Sequence, residues 1–137
     1  MTIDEFIAWG SKASGSEIAN AHTFTRELCI ALDLPPPNLA KDDNAANDYV
    51  FERSVVFQHG DGSSTTKFID CYRQGAFVLE NKKVRADITS KSFDDAMLRA
   101  HGQAVAYVRN LPPCESRPPF VVLIDVGNVI ELHSEFS

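Results

Sequence analysis

The sequence of 137 residues contains no apolar run approaching 18 residues, so no segment is expected to span a membrane. Its N-terminus, Met1-Thr2-Ile3-Asp4-Glu5, is acidic where a secretory signal would be basic. Cysteine is scarce: Cys29, Cys71 and Cys114 are odd in number and lack metal-ligand spacing, which argues against a disulfide framework or a zinc site. A reducing, cytoplasmic compartment fits best. There is no excess of basic charge, since 13 Lys and Arg stand against 19 Asp and Glu for a net charge of −6. Nonspecific affinity for nucleic acid comes mainly from cations neutralising phosphates, so the balance argues against a free-standing nucleic-acid binder. The chain also lacks internal repeats, low-complexity segments, a linker between domains and a glycine-rich phosphate loop.

What is present is an ordinary globular composition, 44% hydrophobic and 23% charged, in a chain that fits one domain with its own core. Thr2-Ile3-Asp4-Glu5 has capping-box spacing and starts a short helix to about Trp9, and Gly10 to Gly15 reads as loop. Ser16 is the expected N-cap of a long helix with an apolar stripe at Ile18, Ala21, Phe24, Leu28, Ala31 and Leu32. Leu34 and Pro35-Pro36-Pro37 end it. Strands are expected over 49–57, 67–73 and 76–83, the first two separated by the turn chemistry of His59-Gly60-Asp61-Gly62-Ser63. Val50, Phe51, Val55 and Val56 read as core. Ser92 opens a second long helix with Phe93, Met97, Ala100, Ala104, Val108 and Leu111 on its buried face, and Pro112-Pro113 stops it. Phe120–Asp125 is a nearly all-apolar run of central-strand type, and Gly127-Asn128 turns the chain into a last strand at 129–133. The order implies an α/β (α+β) fold: a mixed sheet of about five strands with flanking helices.

The most informative feature lies in the Phe68–Lys82 hairpin, which carries Asp70 and the triplet Glu80-Asn81-Lys82. Strand alternation puts Glu80 and Lys82 on one side with Asn81 on the other. Asp70 joins them only in one register. A three-residue loop Gln74-Gly75-Ala76 sets Arg73 opposite Phe77 and Asp70 opposite Glu80, whereas a two-residue Gln74-Gly75 turn sets Asp70 opposite Leu79. Two carboxylates at about 5 Å and an effective dielectric near 20 repel by roughly 3 kcal/mol. A hard divalent cation such as Mg²⁺ removes that cost and prefers oxygen ligands. Lys82 can then orient a water or steady charge developing on a phosphate. Acid, acid and lysine on one face is the equipment of metal-dependent phosphodiester hydrolysis; the plain alternative is a surface hairpin with an ordinary Glu/Lys pair.

Gln103 and Tyr107 fall four apart on the second long helix, placed to hydrogen-bond into a site or touch a nucleic-acid backbone. Glu17, His22 and Glu27 on the first long helix, and Glu52 in the first strand, are further candidates for a metal ligand or proton relay. Cys71 should point away from Asp70 into the core, and Arg99 and His101 should lie on the wet side of their helix.

Asp70…Glu80-Asn81-Lys82 followed by a helix bearing Gln103-x-x-x-Tyr107 resembles the PD-(D/E)XK nuclease superfamily and the Q-x-x-x-Y signature of its RecB-type members. The blocks Phe24–Cys29, Tyr49–Arg53, Phe68–Gly75 and Phe77–Glu80 are similar, in order, to the N-terminal region of MmeI-like restriction-modification proteins. The resemblance implies a prokaryotic, cytoplasmic protein. In that family one polypeptide carries an N-terminal nuclease domain, a helical spacer, an adenine-specific DNA methyltransferase and a target-recognition domain. It implies that Asp70 and Glu80 hold Mg²⁺ (or Mn²⁺), that Lys82 assists the attacking water, and that Gln103 and Tyr107 support the site or double-stranded DNA. Related sequences often read Glu-Ala-Lys at Glu80-Asn81-Lys82; Asn81 should face away, with its carbonyl still available as a ligand. His22 stands where the family suggests a polar amide residue and receives no role. Nothing here matches a methyltransferase: there is no Asn-Pro-Pro-aromatic motif and no S-adenosylmethionine-binding glycine loop. Methylation would reside downstream, in a longer parent of which this chain is an N-terminal piece. The rival expectation is a nuclease-like fold without catalysis, serving as a scaffold or docking module for that methyltransferase.

Overall fold

The computed structural model describes residues 2–11, 17–84, 86–126 and 128–134, with side chains at 11 and 17–20 outside the description. The chain runs α1 (Ile3–Ser11), α2 (Glu17–Ala31), β1 (Tyr49–Gln58), β2 (Ser64–Arg73), β3 (Phe77–Lys82), α3 (Lys91–Asn110), β4 (Phe120–Asp125) and β5 (Val129–Ser134), with a short 3₁₀ turn at Asn44–Ala46. The expected Ser16 cap, the Ile18 side chain and Gly127 lie outside the described residues.

The five strands form one mixed sheet in chain order. β3 and β4 are parallel and joined through α3; every other neighbouring pair is antiparallel. A parallel pair needs such a crossover, which is why the long amphipathic helix sits between these two strands. Helices cover both faces. On one, Phe93, Met97, Ala104 and Tyr107 of α3 pack on Val55, Tyr72, Val78, Val121 and Leu123. On the other, Phe6 of α1 and Phe24 of α2 pack on Tyr49, Cys71, Leu79 and Ile124. β3 and β4 alternate strictly between the two layers, Val78 against Leu79 and Leu123 against Ile124. β4 is therefore the doubly buried central strand its all-apolar sequence predicts.

The N-terminal capping box forms: the Glu5 N–H donates to Thr2 Oγ1 at 3.1 Å and the Thr2 N–H to Glu5 Oε2 at 3.4 Å. α1 runs on through Gly10, where the sequence suggests a loop. Phe24 explains the glycine there, because a Cβ on Gly10 would stand 3.0 Å from Phe24 Cε2. α2 ends in a left-handed cap at Asp33 (φ 60), with Leu34 N–H donating to Cys29 O and Asp33 N–H to Ile30 O. α3 is capped by Ser90, whose Oγ accepts from Phe93 N–H at 3.1 Å, and so begins before the predicted Ser92. All six residues of its predicted stripe are buried. Val56 is the exception in the β1 core reading, at 47% exposed. Leu32, the last residue of the α2 stripe, is 51% exposed just beyond the helix end.

Candidate active site

The β2–β3 turn settles the register. Arg73 pairs with Phe77, Tyr72 with Val78 and Cys71 with Leu79, the pairing of a three-residue loop. Gly75 takes φ 72 and Ala76 N–H donates to Arg73 O at 3.0 Å, so glycine supplies the left-handed residue this loop needs. One step beyond Cys71 and Leu79 stand Asp70 and Glu80, and there the backbone ladder stops.

Side chains take over where the ladder ends. The Asp70 N–H donates to Glu80 Oε1 at 3.3 Å, and the Asn81 N–H donates to Asp70 Oδ2 at 2.7 Å. Each carboxylate is thus hung on the backbone of the opposite strand. Glu80 is 2% exposed. Burial, and then the charge of Asp70, push its carboxyl up to about 8, with the two side chains close enough to hydrogen-bond to each other. The donor set is two converging carboxylates in a pocket that disfavours their combined charge, which suits a hard divalent cation. Among the described residues no group of three or more His, Cys, Asp and Glu is arranged to hold a metal.

Lys82 lies two residues on, on the α3 side as alternation requires. Its Nζ donates to Gln103 Oε1 at 2.8 Å, and Gln103 Nε2 donates to Tyr107 Oη at 3.1 Å. The helical pair therefore holds the ammonium from the next layer. Burial chiefly, with the Glu80 charge behind it, keeps the Tyr107 phenol above its usual range, so it remains a neutral donor. These five residues share a cleft of about 210 Å³.

The opposite wall comes from α2 and β1. His22 Nε2 lies 3.2 Å from Glu52 Oε1, and its ring stacks on Phe51 with centroids 4.2 Å apart. His22, Glu52 and the half-exposed Phe68 all line the cleft. Glu27 is half-buried and does not line it, and the Glu17 side chain lies outside the description. Cys71 is in the core, where burial pushes its thiol far above the ordinary value. Arg99 is exposed, whereas His101 is half-buried, its ring 4.4 Å from that of His133.

Arg53, a residue no sequence motif singles out, is 1% exposed and donates from Nη2 to Glu115 Oε2 at 2.8 Å. Tyr72 Oη donates to Glu115 Oε1 at 2.7 Å, so the buried charge pair carries a third partner. An arginine amid β-branched and aromatic strand residues was the available signal; its partner lies in the α3–β4 connection, 62 positions away.

A sheet between helices, parting at its second and third strands onto an acid–acid–lysine cleft, defines the chain as an α+β domain with a polar cleft at a strand divergence. The model of the family described as MmeI, N-terminal domain, matches residues 1–135, and the chain belongs to that family. The match places it in a restriction-modification context. No curated protein and no solved structure matches it.

Proposed function

We propose that the chain is a PD-(D/E)XK-type nuclease domain that hydrolyses DNA phosphodiesters with Mg²⁺ or Mn²⁺, within a restriction-modification protein. The observation that carries the reading is the convergence of Asp70 and Glu80 at the strand divergence, with Lys82 on the same face. A surface hairpin would leave these groups in water; here Glu80 is buried and Lys82 is held by Gln103. When bound, the cation would polarise the phosphate and lower the pKa of a water beside it. Asp70 and Glu80 would hold the cation through oxygens. Lys82, steadied by Gln103, would orient the attacking water and offset charge building on the phosphate. Tyr107 would keep Gln103 in place and offer its hydroxyl to the substrate.

With a net charge of −6, this chain would owe most of its DNA affinity to other parts of a longer protein. Those parts would be an adenine-specific, S-adenosylmethionine-dependent methyltransferase and a target-recognition domain, with double-stranded DNA as the shared partner. The same charge favours a second reading, a non-catalytic docking module for the methyltransferase. Asp70→Asn, Glu80→Gln and Lys82→Ala should each abolish cleavage while the protein stays folded. Retained cleavage in all three would sink the assignment.

A further inference from the structure

Glu52 stands at an interruption of the β1–β2 ladder. Every described pair in that ladder keeps one register, from Tyr49 with Arg73 to Gln58 with Ser64, except that Glu52 and Asp70 do not pair. Glu52 has φ 55 in mid-strand, a left-handed conformation that residues with side chains rarely adopt. Both strands change face there. Phe51 packs in the α1/α2 layer and Val55 in the α3 layer, although regular alternation gives residues four apart the same side. Cys71 and Ile69 show the same switch across Asp70.

The departure leaves the Glu52 carboxylate lining the cleft beside Asp70 and Glu80, with His22 at 3.2 Å. Tyr107 registers all three acids: after burial, the charges of Glu80, Asp70 and Glu52 each raise its phenol. A buried polar group without a partner also borders the cleft, its side chain on the Leu79 side of β3. This is Asn81, which is 3% exposed and leaves both its amide nitrogen and its amide oxygen without a partner. Buried amides are rarely left so.

We propose that Glu52 is a third acidic residue of the cleft: a positioning residue, held by His22, whose carboxylate accepts hydrogen bonds from water around a bound divalent cation. This rests on the metal-dependent reading above. Direct ligation is not required, since no third acidic or imidazole group reaches a common metal position with Asp70 and Glu80 among the described residues. Magnesium-type ions keep several waters, and a carboxylate accepting from them adds to affinity without a direct bond.

The test is Mn²⁺ binding to this chain, read from the free-ion electron paramagnetic resonance signal. Glu52→Gln keeps shape and backbone conformation and removes the charge; it should weaken Mn²⁺ binding about tenfold, within the 10–100-fold range for residues that orient ligands. Glu52→Gly should weaken it similarly while raising Tm, because glycine relieves the positive φ. Mn²⁺ affinity for Glu52→Gln within twofold of the parent, while Asp70→Asn loses binding, would overturn the role of Glu52 and leave the nuclease reading standing. No Mn²⁺ binding by the parent chain would overturn both.

Discussion

Glu80→Gln should stabilise the metal-free protein, and by an amount that grows with pH. Glu80 is 2% exposed beside Asp70, and its carboxyl sits at about 8 rather than its ordinary 4.5. Between those values the native state retains a proton that the unfolded chain has released. The associated stability is complete below 4.5, falls as pH rises, and is lost once pH passes about 8. At pH 7 the loss is about 3 kcal/mol, from roughly 1.4 kcal/mol for each pH step. Glutamine resembles the protonated acid and can still accept the Asp70 N–H, so the variant escapes this loss. For a domain of this size the difference is on the order of 10 °C in Tm. Melting curves of both proteins from pH 5 to 8.5, in chelator, should diverge as pH rises. Parallel curves would show that Glu80 ionises freely and would refute the account of a desolvated acid pair. Added Mn²⁺ should raise the Tm of the parent more at pH 8 than at pH 6, and leave Glu80→Gln nearly unmoved.

Arg53→Ala should cost about 3–5 kcal/mol by stranding Glu115 in the interior, seen as a lower midpoint in urea. Arg53→Lys should recover only part of it, because an ammonium lacks the guanidinium fork. Asp33→Gly, at the left-handed cap of α2, should stabilise by about 0.5–1 kcal/mol without touching the cleft. Gly75→Val should destabilise by at least 1 kcal/mol and impair metal binding as well, since the φ 72 residue fixes the register that brings Asp70 to Glu80.

The legible parts of this fold were those written in local periodicity. The α3 stripe and the apolar β4 run each follow from spacing within a few residues, and each is present; the glycine turn was legible as a turn, but its two possible loop lengths left the Asp70–Glu80 register to the structure. The link from Lys82 through Gln103 to Tyr107 was half-legible: i to i+4 spacing put the pair on one side, but only packing of α3 over β3 delivers it to the lysine. Boundaries blurred where two residues of the same type compete, as when Ser90 rather than Ser92 caps α3. Gly10 read as a loop breaker because its role is a tertiary one, making room for Phe24. Val56 read as core because β-branched residues suit strands on either face, yet it stays nearly half exposed. The Arg53–Glu115 pair and the reversed φ of Glu52 were hidden for a deeper reason: both depend on contacts far apart in sequence or on a single dihedral with no glycine to mark it.

The nuclease claim is tested most directly by nicking of supercoiled plasmid with Mg²⁺ or Mn²⁺, comparing this chain with a Lys82→Ala variant of matched Tm. The account predicts ion-dependent nicking that is lost in the variant and in chelator. Equal nicking by both proteins would contradict it. If neither nicks, the same pair is compared within a longer restriction-modification protein that carries this domain, where loss of cleavage on Lys82→Ala is predicted and retained cleavage would contradict the assignment.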